Sequence, residues 1–532
     1  MATAEDTSEL QKKQLESCIF KVMHGDARTG RRVLGSSGVH PASLQTVDLM
    51  KGKFVVDPAR DTIAQRPGLS QRAARCKPAI VQKKIVSAVI AKTADCKASG
   101  TSSWRNSRLK NIASSDSGLA ALTSWAQAWV SGTVPEIMAA PWRAVLGVPL
   151  RKGDGGEDVR PIMIGEALLS LPGACLQEAL QGKVARLLSD TQLGIGIKAG
   201  PESFLCIGKA LARLCPNDAF CAFDMHNAFG EVSRAEILEE VIHDFPEIAP
   251  YLINLWGAEG TPVHIASGAT SWASFEMRDG LYQGHTLSSL LFCLGLRRAL
   301  RRFLREYSGS PCSAGGTPVH LEYMDDMLFK FDPSLACTWL PLLTDALFTV
   351  NLRLNITKTK VWVPSSADGV LHPALQQAGL HQVFDGLEVM GGALDGQFAA
   401  SIGHPAVPAA SLKRTEQAEK LAQTMQLMLR TPLAQPAHRA AWTLLDKVLN
   451  KALDYDARIL HPESFSTIAE RLDRAVLQTS CKVVRVDGFT EVQEQCLRLP
   501  ARLGGCDLVS AGTKRLFMHL AGASQYMPSA AQ

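Results

Sequence analysis

Among thirteen cysteines there is no Cys-x-x-Cys pair and no cysteine–histidine ligand spacing, so neither a zinc cluster nor a disulfide framework is expected. Several of them fall inside apolar runs, such as Cys221 in AFCAF and Cys293 in LLFCLGL, and read as buried free thiols of a reducing, intracellular compartment. No apolar run approaches the roughly 18 residues that a membrane span needs, so no membrane partner is expected. The opening MATAEDTSEL lacks the basic–apolar–small order of a signal peptide. No internal repeat and no long low-complexity tract interrupts the chain. What is present is an ordinary globular composition, 46% hydrophobic and 20% charged, over 532 residues. That length allows two to four subdomains around a large core. The net charge of +5 is mildly basic and by itself assigns no partner.

Residues 1–100 are polar and mixed. Their basic clusters (Arg28, Arg31, Arg32; Arg72, Arg75, Lys77; Lys83, Lys84) read first as solvated helical surface and second as a nucleic-acid patch. KASGTSSWRNSRLKN reads as a loop leading to a helical stretch, SGLAALTSWAQAWVSG. VLGVPLRKGDGGEDVRPIMIGE reads as strand, glycine turn (Gly153, Asp154, Gly155, Gly156), strand. Ala219–Phe223 is a short continuous apolar run that suits a buried strand and ends at Asp224. Ser233 and Glu236 form a capping box ahead of Ile237, Leu238, Val241, Ile242 and Phe245 at helical spacing. Asp224 therefore emerges from a buried strand one loop before a helix.

In GLYQGHTLSSLLFCLGLRRALRRFLREY, Gly280 and Gly284 bracket a turn and Thr286 is expected to cap a helix. The second half of that helix carries Arg297, Arg298, Arg301, Arg302 and Arg305. They read either as cations favoured at a helix C-terminal half or as a phosphate-facing stripe. From about residue 405 the pattern is helical, with Trp442, Leu445, Leu449 and Ala452 on one face.

The stretch HLEYMDDMLFKFD, His320–Asp332, places Asp325 beside Asp326 among apolar strand formers. Val319, Leu321 and Tyr323 alternate with His320, Glu322 and Met324, the period of a strand, and Met327–Phe331 reads as a second strand. The two acids then occupy or adjoin a hairpin tip. Asp-Asp is not a favoured tight-turn pair, and neighbouring carboxylates repel, so local folding does not account for them. On the dipeptide alone a solvated turn is the commoner reading; the functional reading is a pair of divalent cations between these acids and a triphosphate. Mg²⁺ takes hard oxygen ligands, keeps substrate phosphates in its shell, and in pairs clamps the attacking and leaving oxygens of a phosphoryl transfer.

The motifs, in order, make the chain resemble a reverse transcriptase, most closely those of non-LTR retrotransposons. Tyr323-Met324-Asp325-Asp326 matches Y-x-D-D, and FDMHNAF, with Asp224 and Phe229, matches the first palm motif. GLYQGHTLSSLLF resembles G-x-x-Q-G-x-x-L-S-x-x-L-F, and LRKGDGGEDVRPI resembles the fingers hairpin. LRLNITKTK resembles the L-N-x-x-K-T segment, and VMGGALDG resembles the primer-grip turn. GTSSWRNSRLKNI and LPARLGG also look like retroelement segments. The likeness covers about residues 100 to 400 well and the rest loosely.

The resemblance implies an α+β right-hand polymerase: a mainly helical N-terminal extension (1–100), fingers (101–218), a palm with an antiparallel sheet (219–400), and a helical thumb with the C-terminal region (401–532). It implies RNA-directed DNA synthesis from a primer 3′-OH with dNTPs, an RNA template, a DNA primer and nuclear residence. Asp224, Asp325 and Asp326 would hold two Mg²⁺ ions, for which Mn²⁺ can substitute. Lys152 and Arg160 would contact the triphosphate, and Phe229 would exclude a ribose 2′-OH. Gln283 and Gly284 would line the nucleotide pocket, and Lys358 would protonate the leaving pyrophosphate. Gly391 and Gly392 would form the turn that places the primer end. His285 departs from the small or acidic residue of many relatives, and no endonuclease constellation accompanies the polymerase motifs. The alternative is a domesticated polymerase fold that binds RNA without catalysis.

Overall fold

Ala219, Phe220 and Cys221 are fully buried and Phe223 nearly so, because their strand is covered on both faces. Alternation sends Ala219, Cys221 and Phe223 to one side and Phe220 to the other, where it meets Trp362, Leu321 and Leu328. Such a strand belongs in the middle of a sheet, and the computed structural model places it there. The structure describes residues 4–36, 38–54, 61–95, 97–152, 158–257, 259–310, 318–366, 369–394, 407–430 and 434–530. The turn expected at Gly153, Asp154, Gly155 and Gly156 lies outside the described residues.

The described strands are β1 (Val145–Arg151), β2 (Val159–Ile164), β3 (Ala219–Phe223), β4 (Thr261–Ala266), β5 (Trp272–Met277), β6 (Val319–Tyr323), β7 (Asp326–Phe331), β8 (Lys360–Trp362), β9 (His381–Val383), β10 (Leu387–Val389) and β11 (Gly392–Leu394). A five-stranded sheet runs β6-β7-β3-β8-β9, antiparallel except for the β8–β9 pair. A four-stranded sheet runs β2-β1-β4-β5, with β1 and β4 parallel, and β10–β11 forms a hairpin. Helices dominate the remainder, so the class is α+β. Among the described residues no helix is long and apolar enough to cross a membrane.

The face of the central sheet that carries Phe223 and Phe329 packs on the helices Arg234–Asp244, Ser288–Ser308 and Ala336–Thr349. Trp339 lies stacked on Phe329, with ring planes 4° apart. A second core gathers the C-terminal helices Ala409–Met428, Ala434–Lys447 and Pro462–Val484. The first helix, Ala4–Met23, contributes Cys18, Ile19 and Val22 to that same core. The helix Leu44–Lys51 instead covers the four-stranded sheet through Val47 and Met50, and Ile63, Leu69 and Val86 join the central core. The first 100 residues thus divide among three hydrophobic clusters.

Several local expectations change. The last six residues of the stretch read as a loop, from Asn106 to Asn111, belong to the helix Asn106–Ala113. Ser233 does cap its helix by accepting from Glu236 N, but the Glu236 carboxylate is taken by Arg66 and Arg298 instead of returning to the cap. Thr286 caps nothing: the helix begins at Ser288, whose hydroxyl donates to Tyr282 O at 2.9 Å, and Thr286 Oγ1 is buried without a hydrogen-bond partner. The face Trp442, Leu445, Leu449, Ala452 is not one helix, since the helix Ala434–Lys447 ends before a 3-10 turn at Leu449–Lys451.

Candidate active site

The register of the central sheet assembles the acids. Phe223 pairs with Met327, so Asp224, the next residue, falls opposite Asp326 at the end of the β3–β7 ladder. Tyr323 pairs with Asp326, which leaves Met324 and Asp325 as the two-residue turn of the β6–β7 hairpin. Met324 holds φ at +58°, a left-handed conformation costing a non-glycine residue about 1–2 kcal/mol.

Gln192 offsets that strain. Its Oε1 accepts from Met324 N at 2.9 Å and from Gly194 N at 3.0 Å, while its Nε2 donates to Glu322 Oε2 at 3.1 Å. Glu322 is buried and also accepts from Thr191 Oγ1 at 3.0 Å. Backbone bonds from Leu193 N to Glu322 O (2.7 Å) and Glu322 N to Thr191 O (2.8 Å) complete the clamp. The tip carrying Asp325 is therefore fixed from a segment 130 residues away in sequence.

Burial raises the Asp325 carboxyl above its ordinary range, and the nearby Asp224 charge adds to the rise. Burial, then the charges of Asp325 and Asp224, push Asp326 up to about 6. Both keep exposed surface, so solvent screens part of this. The physical content is a local excess of negative charge that a cation would relieve. Lys358 Nζ stands 3.8 Å from Asp224 Oδ2, and Asn355 N donates to Asp224 O at 2.8 Å.

Asp224 and Asp325 border a cleft of ≈ 500 Å³. The structure brings seven of the expected site residues onto its walls: Asp224, Asp325, Lys152, Arg160, Phe229, Gln283 and Lys358. Lys358 lies two residues before strand β8. The Phe229 ring lies stacked on Phe292, centroids 4.5 Å apart and planes 16° apart, which holds it at one orientation.

Asp326, Gly284, Gly391 and Gly392 are not among the lining residues. Asp326 is the first residue of β7, behind Asp325. Gly284, at φ +122°, is needed for a close approach to strand β2: a Cβ there would sit 2.6 Å from Met163 O. The same contact carries Met163 N to Gln283 O at 3.3 Å, so Gly284 positions its neighbour and does not form the pocket wall. Met390 and Gly391 make the β10–β11 turn, while Gly392 already pairs with Val389 inside the hairpin. That turn is held by Tyr455, whose hydroxyl donates to Met390 O at 2.9 Å.

His285 does not reach the cleft either. It is buried behind the Gln283 loop, with Nε2 3.0 Å from the Tyr251 hydroxyl and Nδ1 accepting from Leu287 N at 3.3 Å. Burial brings its imidazole down to about 4, so it is neutral near pH 7.

The arginine-rich helix resolves against a phosphate stripe for most of its members. Arg297 and Arg301 each donate to the buried Glu240 at 3.1 Å, and Arg297 also pairs with Asp244. Arg298 donates to Glu236 at 2.9 Å, and Arg302 to Glu306 at 2.7 Å. Four of the five arginines are thus neutralised within the fold.

Sequence reasoning missed other members of the cleft. Lys53, Asp158, His226, Asn227 and Asn355 also line it. Glu231, buried, ties His226 Nδ1 (2.9 Å) to Arg353 (2.6 Å), joining the loop after β3 to the segment before β8. The pairing of a histidine and an acid five residues apart was visible in HNAFGE; the contribution of Lys53 was not, because it comes from a distant segment outside the resemblance.

Comparison with known protein families and with curated proteins returns no match. The chemistry of the donor set then bears on the metal. Among the described residues no group of three or more His, Cys, Asp or Glu forms a self-contained cage. Two cleft-lining carboxylates and a third adjoining them crowd like charges together and fit a cation that takes its remaining ligands from water and phosphate. That is the usual mode for magnesium.

Proposed function

We propose that this protein is an RNA-directed DNA polymerase of the reverse transcriptase type, from a non-LTR retrotransposon, with a right-hand polymerase architecture. The observation that supports the reading best is the convergence of Asp224, from the end of a buried central strand, with Asp325 at a clamped hairpin tip. Both face one cleft that is also lined by Lys152, Arg160, Lys358 and a fixed aromatic ring.

In this reading Asp224 and Asp325, supported by Asp326, would hold Mg²⁺, or Mn²⁺ in its place. The bound metal supplies charge neutralisation at the reacting phosphates. Lys152 gives the triphosphate a point charge, and Arg160 gives it a planar two-pronged contact. Phe229, locked against Phe292, fills the space a ribose 2′-OH would need. Gln283 faces the incoming nucleotide and is held there by its carbonyl bond to Met163 N. The primer 3′-hydroxyl gives up its proton to solvent as its oxygen attacks the α-phosphorus of the dNTP, the bond to the bridging oxygen breaks, and pyrophosphate leaves with a proton from Lys358, which solvent then reprotonates. The protein's main contribution is positioning and charge stabilisation. Template RNA and primer DNA are gripped largely through phosphates, which makes affinity fall with salt. Nuclear residence goes with this reading.

The test is primer extension on poly(rA)/oligo(dT) with dTTP and Mg²⁺, comparing the protein with Asp325→Asn. Synthesis by the parent and none by the variant is expected. No synthesis by folded parent protein on any template type would overturn the reading and favour an RNA-binding scaffold.

A further inference from the structure

The segment around Lys53 enters the cleft from the N-terminal 100 residues. The helix Leu44–Lys51 ends at Gly52, and the next carbonyl, that of Lys53, is fastened: Asn227 Nδ2 donates to it at 2.7 Å. Gly230 approaches the same oxygen so closely that a Cβ there would collide with it. Asn227 and Gly230 lie in the loop and short helix that follow Asp224, so Lys53 is held in register with that carboxylate. Phe54, the next residue, is buried beside Phe275, which anchors the segment from behind.

The Lys53 side chain then meets Asp158. Its Nζ lies 2.5 Å from Asp158 Oδ1, and Asp158 Oδ2 lies 3.5 Å from Lys152 Nζ. Arg160 lines the same wall two residues further on. One carboxylate thus bridges two ammonium groups beside a guanidinium, on the surface of an open cleft. Burial acts to raise the Asp158 carboxyl, but the hydrogen bond and charge of Lys53, the Val159 N–H and the Lys152 charge together outweigh it and hold the group below its usual range. Asp158 is 45% exposed, so its charge can swing away without being stranded in a core. Two oxygens spread between two cations reproduce the edge of a phosphate group.

We propose that Lys53, Lys152 and Arg160 form a polyphosphate subsite in which Asp158 is an internal stand-in anion that the triphosphate of a nucleotide displaces. The proposal rests on the polymerase reading and extends it to a residue outside the segments that resemble the family. It carries an unusual sign. Neutralising an acid that only orders the hairpin would leave phosphate binding unchanged or weaken it, whereas neutralising a competitor strengthens it.

The experiment is calorimetric titration of the full chain with sodium tripolyphosphate, without template or primer. Asp158→Asn keeps an oxygen to accept from Val159 N, which Asp158 now does at 2.9 Å, and removes the charge. It is expected to bind about tenfold more tightly, and Lys53→Gln about tenfold more weakly, the size of one charge-assisted contact. Lys53→Arg is expected to retain binding, and KM for dTTP to move with the tripolyphosphate affinity. If Lys53→Gln does not fold, Asp158→Asn and Lys53→Arg decide. Asp158→Asn that binds no more tightly overturns the proposal. So does a Lys53→Gln protein that loses affinity for a single-stranded dT oligonucleotide while keeping it for tripolyphosphate. The expected tripolyphosphate pattern in a protein that makes no DNA retains the subsite and removes the polymerase reading. DNA synthesis with binding indifferent to both residues removes the subsite alone.

Discussion

Two groups of basic residues in this molecule carry the same charge in opposite circumstances. On the helix Ser288–Ser308, Arg297, Arg298 and Arg301 are answered by Glu236, Glu240 and Asp244 of the neighbouring helix. At the cleft, Lys53 and Lys152 share one aspartate, and Lys358 sits 3.8 Å from an acid that the proposed metal would claim. Clustering of positive charge is therefore a poor guide to phosphate binding by itself. The number of acids brought within reach by other elements decides whether a cluster is structural or available.

Perturbing the two groups should separate them. The largest effect belongs to the acids that make the cleft cations useful: Asp325→Asn or Asp224→Asn should reduce primer extension to background while the melting temperature holds. Phe229→Ala should come next, raising incorporation of rTTP relative to dTTP by roughly a hundredfold, since the ring would no longer exclude one hydroxyl. Competition between the two nucleotides on one primer reads this ratio, and an unchanged ratio would contradict the role of the ring. On the other helix, Glu240→Ala should cost about 2 kcal/mol in denaturant unfolding. That is less than the roughly 3–5 kcal/mol of a fully buried pair, because Arg301, 49% exposed, can turn to water. KM for dTTP should not respond. Lys152→Ala or Arg160→Ala should do the reverse, raising that KM about tenfold without moving the unfolding midpoint. The smallest change is expected at Arg302→Ala, whose exposed pair with Glu306, four residues on, contributes no more than about 0.5 kcal/mol. If Glu240→Ala altered KM, or Lys152→Ala the midpoint, the distinction between the two groups would fail.

Local pattern carried far in some places. The continuous apolar run before Asp224 and the alternation through Tyr323 were enough to predict a buried strand and a hairpin, and the sheet contains both. The arginines could not be settled that way. Glu236, Glu240 and Asp244 are equally plain in the sequence, but periodicity does not say which two helices lie side by side. Gln192 was invisible for the same reason: an amide that holds a strained turn acts across 132 residues and leaves no local trace. Thr286 misled because a threonine before an apolar helix satisfies the capping rule, yet the first turn starts two residues later and packs against the Gln283 loop. Lys53 depended on a carbonyl–amide contact with Asn227 that no motif records.

The sharing of one core by the first helix and the C-terminal helices has a consequence during synthesis. Gly30 of the next helix, Ala27–Leu34, packs on Cys18 and Val22 early, but the rest of their core, with Leu421, Leu444 and Ile468, is made much later. At about 5–20 residues per second, that interval is on the order of 20–90 s. Through it the helix Ala4–Met23 keeps part of its apolar side uncovered, while the central sheet behind it can already close. A ribosome stalled before residue 421 would hold a chain whose middle is folded and whose first helix is still waiting.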